Sequence, residues 1–340
     1  MPRTAGGAFT LADDDRTPRA RRWGCLVTLA LVAVTALGGW WGVRRAVDAW
    51  SPTTCEVRAG GKSFTWAPDQ ASNSAVITAI ALRRGMAPRA ATIAIATALQ
   101  ESKVRNITFG DRDSVGLFQQ RPSQGWGTVE QIMNPVYASE RFFRALAKVD
   151  GYNDKPMAEA AQAVQRSANG SFYAQHEGEA LALAQALTGR YPQALTCLVK
   201  PATVPQQQVS ANGLTPRANT VRTRLRDVFG TLSLGGFAPG GVSDGHMDGS
   251  AHYEGRAIDV FFRPITEPNT QQGWEVAHWL VAHAHDLNIA TVIYAERIWS
   301  ADASTNGWSA YTPPRTDPDP AVNEVLRHQD HVHVDVLKGD

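Results

Sequence analysis

The segment RHQDHVHVDV, Arg327–Val336, holds three histidines and two aspartates in ten residues. Imidazoles and carboxylates at that density can ligate a metal ion or move protons. On a strand, alternation puts His331 and His333 on one face. A second stretch, GSAHYEGRAIDVFF, places His252 and Asp259 either side of a turn at Gly255, with Asp259 opening an apolar run. Two imidazoles and one carboxylate suit zinc, with a fourth position left for water. Zinc brings the pKa of such a water down to about 7, which makes it a nucleophile. Taken singly, each residue reads as an ordinary surface or turn residue. His246, His278, His283 and His285 make the region rich in histidine, and the last three fall on a helical stretch as bystanders.

A different chemistry is suggested upstream. Glu101 closes the apolar stretch PRAATIAIATALQES. A carboxyl in that setting suits a general acid toward a glycosidic oxygen. Alone, it reads equally as a helix end facing solvent. Asp111 and Asp113 follow in a Gly-rich loop, either as a second carboxylate that positions water or as turn formers.

Both stretches resemble known families. ALQES followed by SVGLFQQRPSQGWG resembles the lysozyme-like lytic transglycosylases and goose-type lysozymes, over about residues 70–190. That resemblance implies that Glu101 is the catalytic acid and that Gln119 lines a glycan groove. Gln165, Ser167 and Tyr173 stand where a substrate-groove helix is expected, without matching its usual motif. The set Ser250, His252, Gly255, Ala257, Asp259, His331 and His333 resembles the zinc D-alanyl-D-alanine carboxypeptidase family, which includes the hedgehog-type domain. It implies zinc ligands at His252, Asp259 and His333, a base at Asp330, and His331 beside the metal. Arg256 and Tyr253 flank the site, and either is a candidate contact for a peptide carboxylate or an oxyanion. The sequence departs from many members in having Asp330 rather than Glu at the base position and Val332 rather than Trp before the last ligand.

These residues need elements to hold them. SNSAVITAIALRRG ends at a C′-type glycine, Gly85, and Pro88 suits the first turn of the next helix. Asn134-Pro135 reads as the start of another, and further helical stretches run over about 156–167 and 177–187. Residues 52–198 are therefore expected to form an all-α lysozyme-like domain. VKPATVPQQQVSANGLTPR, residues 199–217, reads as a linker. Beyond it, AIDVFF, ATVIYAERIW and HVHVDV read as strands, and QQGWEVAHWLVAHAHDL as a helix. An α+β zinc-peptidase-like domain is expected over 218–340.

Trp23–Val43 contains no charged residue. About 21 residues at 1.5 Å rise span one hydrocarbon core. Arg16, Arg19, Arg21 and Arg22 closely precede it, so the expectation is a cytoplasmic tail over 1–22, one transmembrane helix over 23–43, and an extracellular remainder. In an exported chain, Cys55 and Cys197 read as a disulfide. The net charge of +1 offers no argument for nucleic acid. The expectation is a membrane-anchored peptidoglycan hydrolase with Zn2+, acting on the stem peptide and binding or cutting the glycan strand. The competing expectation is a cell-wall scaffold with one or both sites inactive.

Overall fold

Cys55 and Val57 are buried on a hairpin made by β1 (Thr54–Ala59) and β2 (Lys62–Trp66). It turns at Gly60 and Gly61, whose φ of 58° and 74° fit the left-handed two-residue turn that matches strand twist. In this computed structural model, residues 53–166, 170–200 and 202–340 are described. Thr53–Asp340 form one compact unit.

Two apolar helices follow, α1 (Pro68–Arg83) and α2 (Pro88–Ser102), each opened by its proline. Gly85 closes α1 at φ 66°, and Met86 N–H returns to the Ala81 carbonyl. α2 is buried on nearly every side, because its Ala, Ile and Thr side chains let neighbours approach all round. Around it pack α3 (Pro135–Leu146), α4 (Met157–Gln165) and α5 (Glu177–Leu187). The chain then forms β3 (Leu195–Leu198), antiparallel to β1, in a sheet of order β2-β1-β3. Cys55 stands opposite Cys197 in that register, and the two are disulfide-bonded.

α6 (Pro216–Phe229), capped by Thr215, leads into an antiparallel sheet of order β4-β5-β9-β6-β7-β8. Its strands are β4 (Leu234–Gly235), β5 (Ala257–Phe261), β6 (Ile289–Tyr294), β7 (Arg297–Ser300), β8 (Ser309–Ala310) and β9 (His331–Val336). α7 (Glu267–Ala282) packs against β6 and β9, and also against α1, α5 and β3. α8 (Pro320–Leu326) precedes β9. The period of two divides the central strands: Val332, Val334, Val336, Ile258 and Val260 are core residues, while His331, His333, Asp335 and Asp259 alternate with them.

Residues 204–217 lie along the C-terminus: Asp340 N–H donates to the Val204 carbonyl, and Arg217 donates to the carbonyls of Pro205, Leu337 and Lys338. The free edge of β3 is covered by the second half of the chain. Trp308 Nε1 donates to Leu195 O at 2.8 Å, Trp299 Nε1 to Cys197 O at 3.3 Å, and Ser304 Oγ to Val199 O at 3.1 Å.

The expected fold class is corrected by these observations. The first half is not all-α, since β1, β2 and β3 form a sheet at its base. The described chain is one mixed α/β unit rather than a membrane helix with an all-α and an α+β domain. Among the described residues no helix is long and apolar enough to cross a membrane, which counts against the expected single-pass localisation. The 1–22 tail and the Trp23–Val43 span on which it rested lie outside the described residues.

Candidate metal centre

Ser250 Oγ accepts from His252 N–H and starts a short 3-10 turn, Ala251–Glu254. Gly255 ends it at φ 63°, where a Cβ would meet the Gly213 carbonyl at 2.6 Å. This turn sets His252 beside β5 and β9, where Asp259 pairs directly with His333.

His252 Nε2, His333 Nδ1 and Asp259 Oδ1 form a triangle. The nitrogens are 3.1 Å apart, and the oxygen is 3.2 Å from each. The far nitrogen of each ring has an acceptor: His252 Nδ1 faces Gly236 O at 2.7 Å, and His333 Nε2 faces Asp335 Oδ2 at 3.3 Å. Those acceptors take the ring N–H, so the remaining lone pairs turn inward. Three inward acceptors repel unless a cation sits among them. Ligand bonds of 2.0–2.2 Å in a tetrahedron give donor separations of about 3.3–3.6 Å, slightly longer than the sides of this triangle. The donor set therefore fits a divalent ion, with one face open.

The electrostatics agree. Burial alone would lower the His333 pKa, but hydrogen bonds to Asp259 and Asp335 outweigh it and lift the imidazole to about 9. Burial opposes the Asp259 charge, yet His252 and His333 hold its carboxyl far below the usual range. A proton on His333 is the smallest cation that satisfies the cluster.

His246, His252 and Asp259 also each offer a donor atom within 4.8 Å of the others, a set that could hold a metal ion. The His246 ring lies on His252 with centroids 3.8 Å apart and planes 15° apart. The His252 and His333 planes are inclined at 67°, with Nε2 of the first 3.1 Å from Nδ1 of the second.

His331 Nδ1 faces Asp330 Oδ1 at 2.7 Å, and its Nε2 lies 3.8 Å from Asp259 Oδ1. Arg263 holds the other oxygen of Asp330 at 2.6 Å and lies over the Phe261 ring. Burial would raise the Asp330 pKa, but His331 and Arg263 bring it below its ordinary value. A cavity of about 360 Å³ opens here, with Met247, Arg263, Ile293, Tyr311, Leu326 and His328 among its walls. Burial pushes His328 down to about 3.

The structure thus gathers His252, Asp259, Asp330, His331 and His333. It does not bring Arg256 to them. That guanidinium binds Glu254 at 2.6 Å and the Val336 carbonyl at 2.6 Å. His246, Arg263 and Tyr311 were not expected at the site. Only His246 left a trace, in the Gly-rich SDGHMDGSAH run just before His252.

The upstream residues form a separate cluster. Glu101 sits in the last turn of α2, and Tyr173 OH donates to its Oε1 at 2.8 Å. Lys103 and Val104 then turn the chain through φ 58° and 57°, held by Gln70 and Asn73 from α1. A β-branched residue in that region is strained. Ser102 Oγ donates to Leu117 O, and Gln165 Nε2 to Phe118 O, so the following loop is pinned to α2 and α4. Gln119 is folded back: its amide faces Phe109 O at 3.2 Å and Gly116 O at 3.3 Å. Asp113 holds Arg121 and the Ser123 N–H, and acts as a loop staple, while Asp111 is exposed.

No match to the chain is found among curated proteins. A family model described as the VldE C-terminal domain matches residues 210–320, the stretch that carries His246, His252, Asp259 and Arg263 and ends before β9.

Proposed function

We propose that this protein is a zinc-dependent peptidase of peptidoglycan stem peptides, and that His252, Asp259 and His333 hold the ion. The observation that carries this reading is the triangle of inward lone pairs 3.1–3.2 Å apart beside an open cavity. Zinc bound there would polarise a carbonyl and make water a nucleophile near neutral pH. Gly236 and Asp335 fix the two ligand imidazoles in the required tautomers. Asp330 has both oxygens engaged, so it acts as a positioning residue. It holds the Nδ1 proton of His331 and presents a free Nε2 to the site, which can take a proton from water and return it to the leaving amine. Arg263 keeps Asp330 ionised. The substrate class rests on the resemblance of the two motif sets, which point to one polymer.

The test is mass spectrometry of peptidoglycan fragments released by the full chain, with and without chelator. New peptide ends should appear only without chelator and return when zinc is restored. The same ends released by His252→Ala protein would sink the proposal.

A second reading concerns Glu101. Its hydrogen bond from Tyr173 and its pinned loop support a glycan-facing carboxyl. The folded-back Gln119 favours holding the strand over cutting it. Sugar fragments released by wild-type protein and lost in Glu101→Gln would reverse that preference.

A further inference from the structure

A second cavity, of about 680 Å³, lies between α3, the end of α4 and the Gln124–Trp126 turn. Arg141, Arg144, Lys148 and Arg166 line it together with Trp126, and no Asp or Glu lines it. Arg141 and Arg144 lie one turn apart on α3, Lys148 follows in the turn just beyond its end, and Arg166 joins them as the C-cap of α4. Like charges so placed destabilise the helix unless something neutralises them. Glu140 lies four residues before Arg144 and could do so. It is committed instead to Arg83 and Arg84, 2.5 Å from each. Arg141 donates from Nη2 to Gly125 O at 2.6 Å, while its Nε is buried without a hydrogen-bond partner among the described residues. Arg141 is thus only partly satisfied by the chain, and four cations with no carboxylate among the lining residues favour an anionic acceptor.

Ala145, Val149 and Val164 add apolar surface beside the half-buried indole of Trp126, and Gln124 and Gln165 add side-chain amides. A bare oxyanion would leave most of this volume and all of that surface unused. A sugar ring presents an apolar C–H face that an indole can cover. Four cations in one cavity, on a chain of net charge +1, also differ from the long basic track of a nucleic-acid binder.

We propose that this cavity binds an anionic saccharide, with its phosphate or carboxylate held by Arg141, Arg144, Lys148 and Arg166 and its ring laid on Trp126. The site is independent of the metal centre and needs no cleavage chemistry.

The experiment is an NMR titration of the full chain, following the Trp126 indole N–H, assigned by comparison with Trp126→Phe. The probes are glucose 6-phosphate, glucuronate, glucose, inorganic phosphate and a single-stranded DNA oligonucleotide. At least one charged sugar should saturate the signal at least tenfold more tightly than glucose or inorganic phosphate. The tighter of the two charged sugars identifies phosphate or carboxylate as the anion. Arg144→Gln/Lys148→Gln, both exposed positions, should weaken that binding at least tenfold without changing the circular dichroism. Four results would overturn the proposal: no saturable binding of either charged sugar, phosphate binding as tightly as both, DNA binding more tightly with the same sensitivity to the double variant, or affinity unchanged in that variant.

Discussion

At the scale of single residues, the candidate metal centre depends on atoms that carry no charge. Gly236 supplies the carbonyl that fixes His252, and its φ is +78°. A Cβ there would lie 2.3 Å from His252 Cε1 and 2.9 Å from Asp259 Oδ2. Gly236→Ala should therefore abolish zinc retention, measured by metal analysis after dialysis, with every ligand still present. Asp330→Asn should keep the metal and lose about 10–100-fold in peptide cleavage, the usual cost of losing a supporting hydrogen bond. Metal loss in that variant would make Asp330 a structural prop of the ligand cage. The grouping of His252, Asp259 and His333 was legible because a strand alternates and because His252 and Asp259 flank a turn. Arg263 was not legible. It meets Asp330 only because β5 and β9 pair, and no spacing along the chain encodes that meeting.

At the scale of elements, α7 joins the two halves, and it carries buried ionisable groups of opposite sense. Burial raises Glu275 from 4.5 to about 8, so the folded state keeps its proton more tightly than the unfolded chain. That contribution is full below pH 4.5 and is lost as pH rises toward about 8. Burial lowers His278 from 6.5 to about 4, despite a hydrogen bond to the Ala186 carbonyl on α5. Its contribution is full above pH 6.5 and is lost as pH falls toward about 4. Glu275→Gln should flatten the alkaline side of a denaturant-stability profile between about pH 5 and 8, leaving the acid side in place. The approach of α7 to the turn after α5 is equally close, since a Cβ on Gly189 would meet Gln271 O at 2.0 Å. Overpacking of this kind costs about 1–3 kcal/mol, so Gly189→Ala should lower the denaturation midpoint. Long periodic helices such as α1 and α2 were readable from Gly85 and Pro88. β1 and β3 were not, because six and four residues of mixed composition acquire their strand character only from each other.

At the scale of the whole molecule, the disulfide closes a sequence separation of 142 residues between β1 and β3. Cys55→Ser with Cys197→Ser should cost about 2–5 kcal/mol in chemical denaturation, as for other disulfides closing long loops. The division into two bodies at residues 199–217 looked natural in the sequence, since that run is rich in Pro and Gln. Composition alone says nothing of the partners that residues 204–217 find along the C-terminus.

The covering of β3 by Trp299, Ser304 and Trp308 also sets an order of assembly. While the chain is being made, the β2-β1-β3 sheet can pair and oxidise long before residue 308 exists. For that interval its last strand shows open carbonyls to any neighbouring chain, which is how sheet edges recruit one another. A fragment ending near residue 215 would keep that edge permanently. It should self-associate in sedimentation experiments, where the full chain, with its indole N–H groups already on those carbonyls, has no such edge to offer.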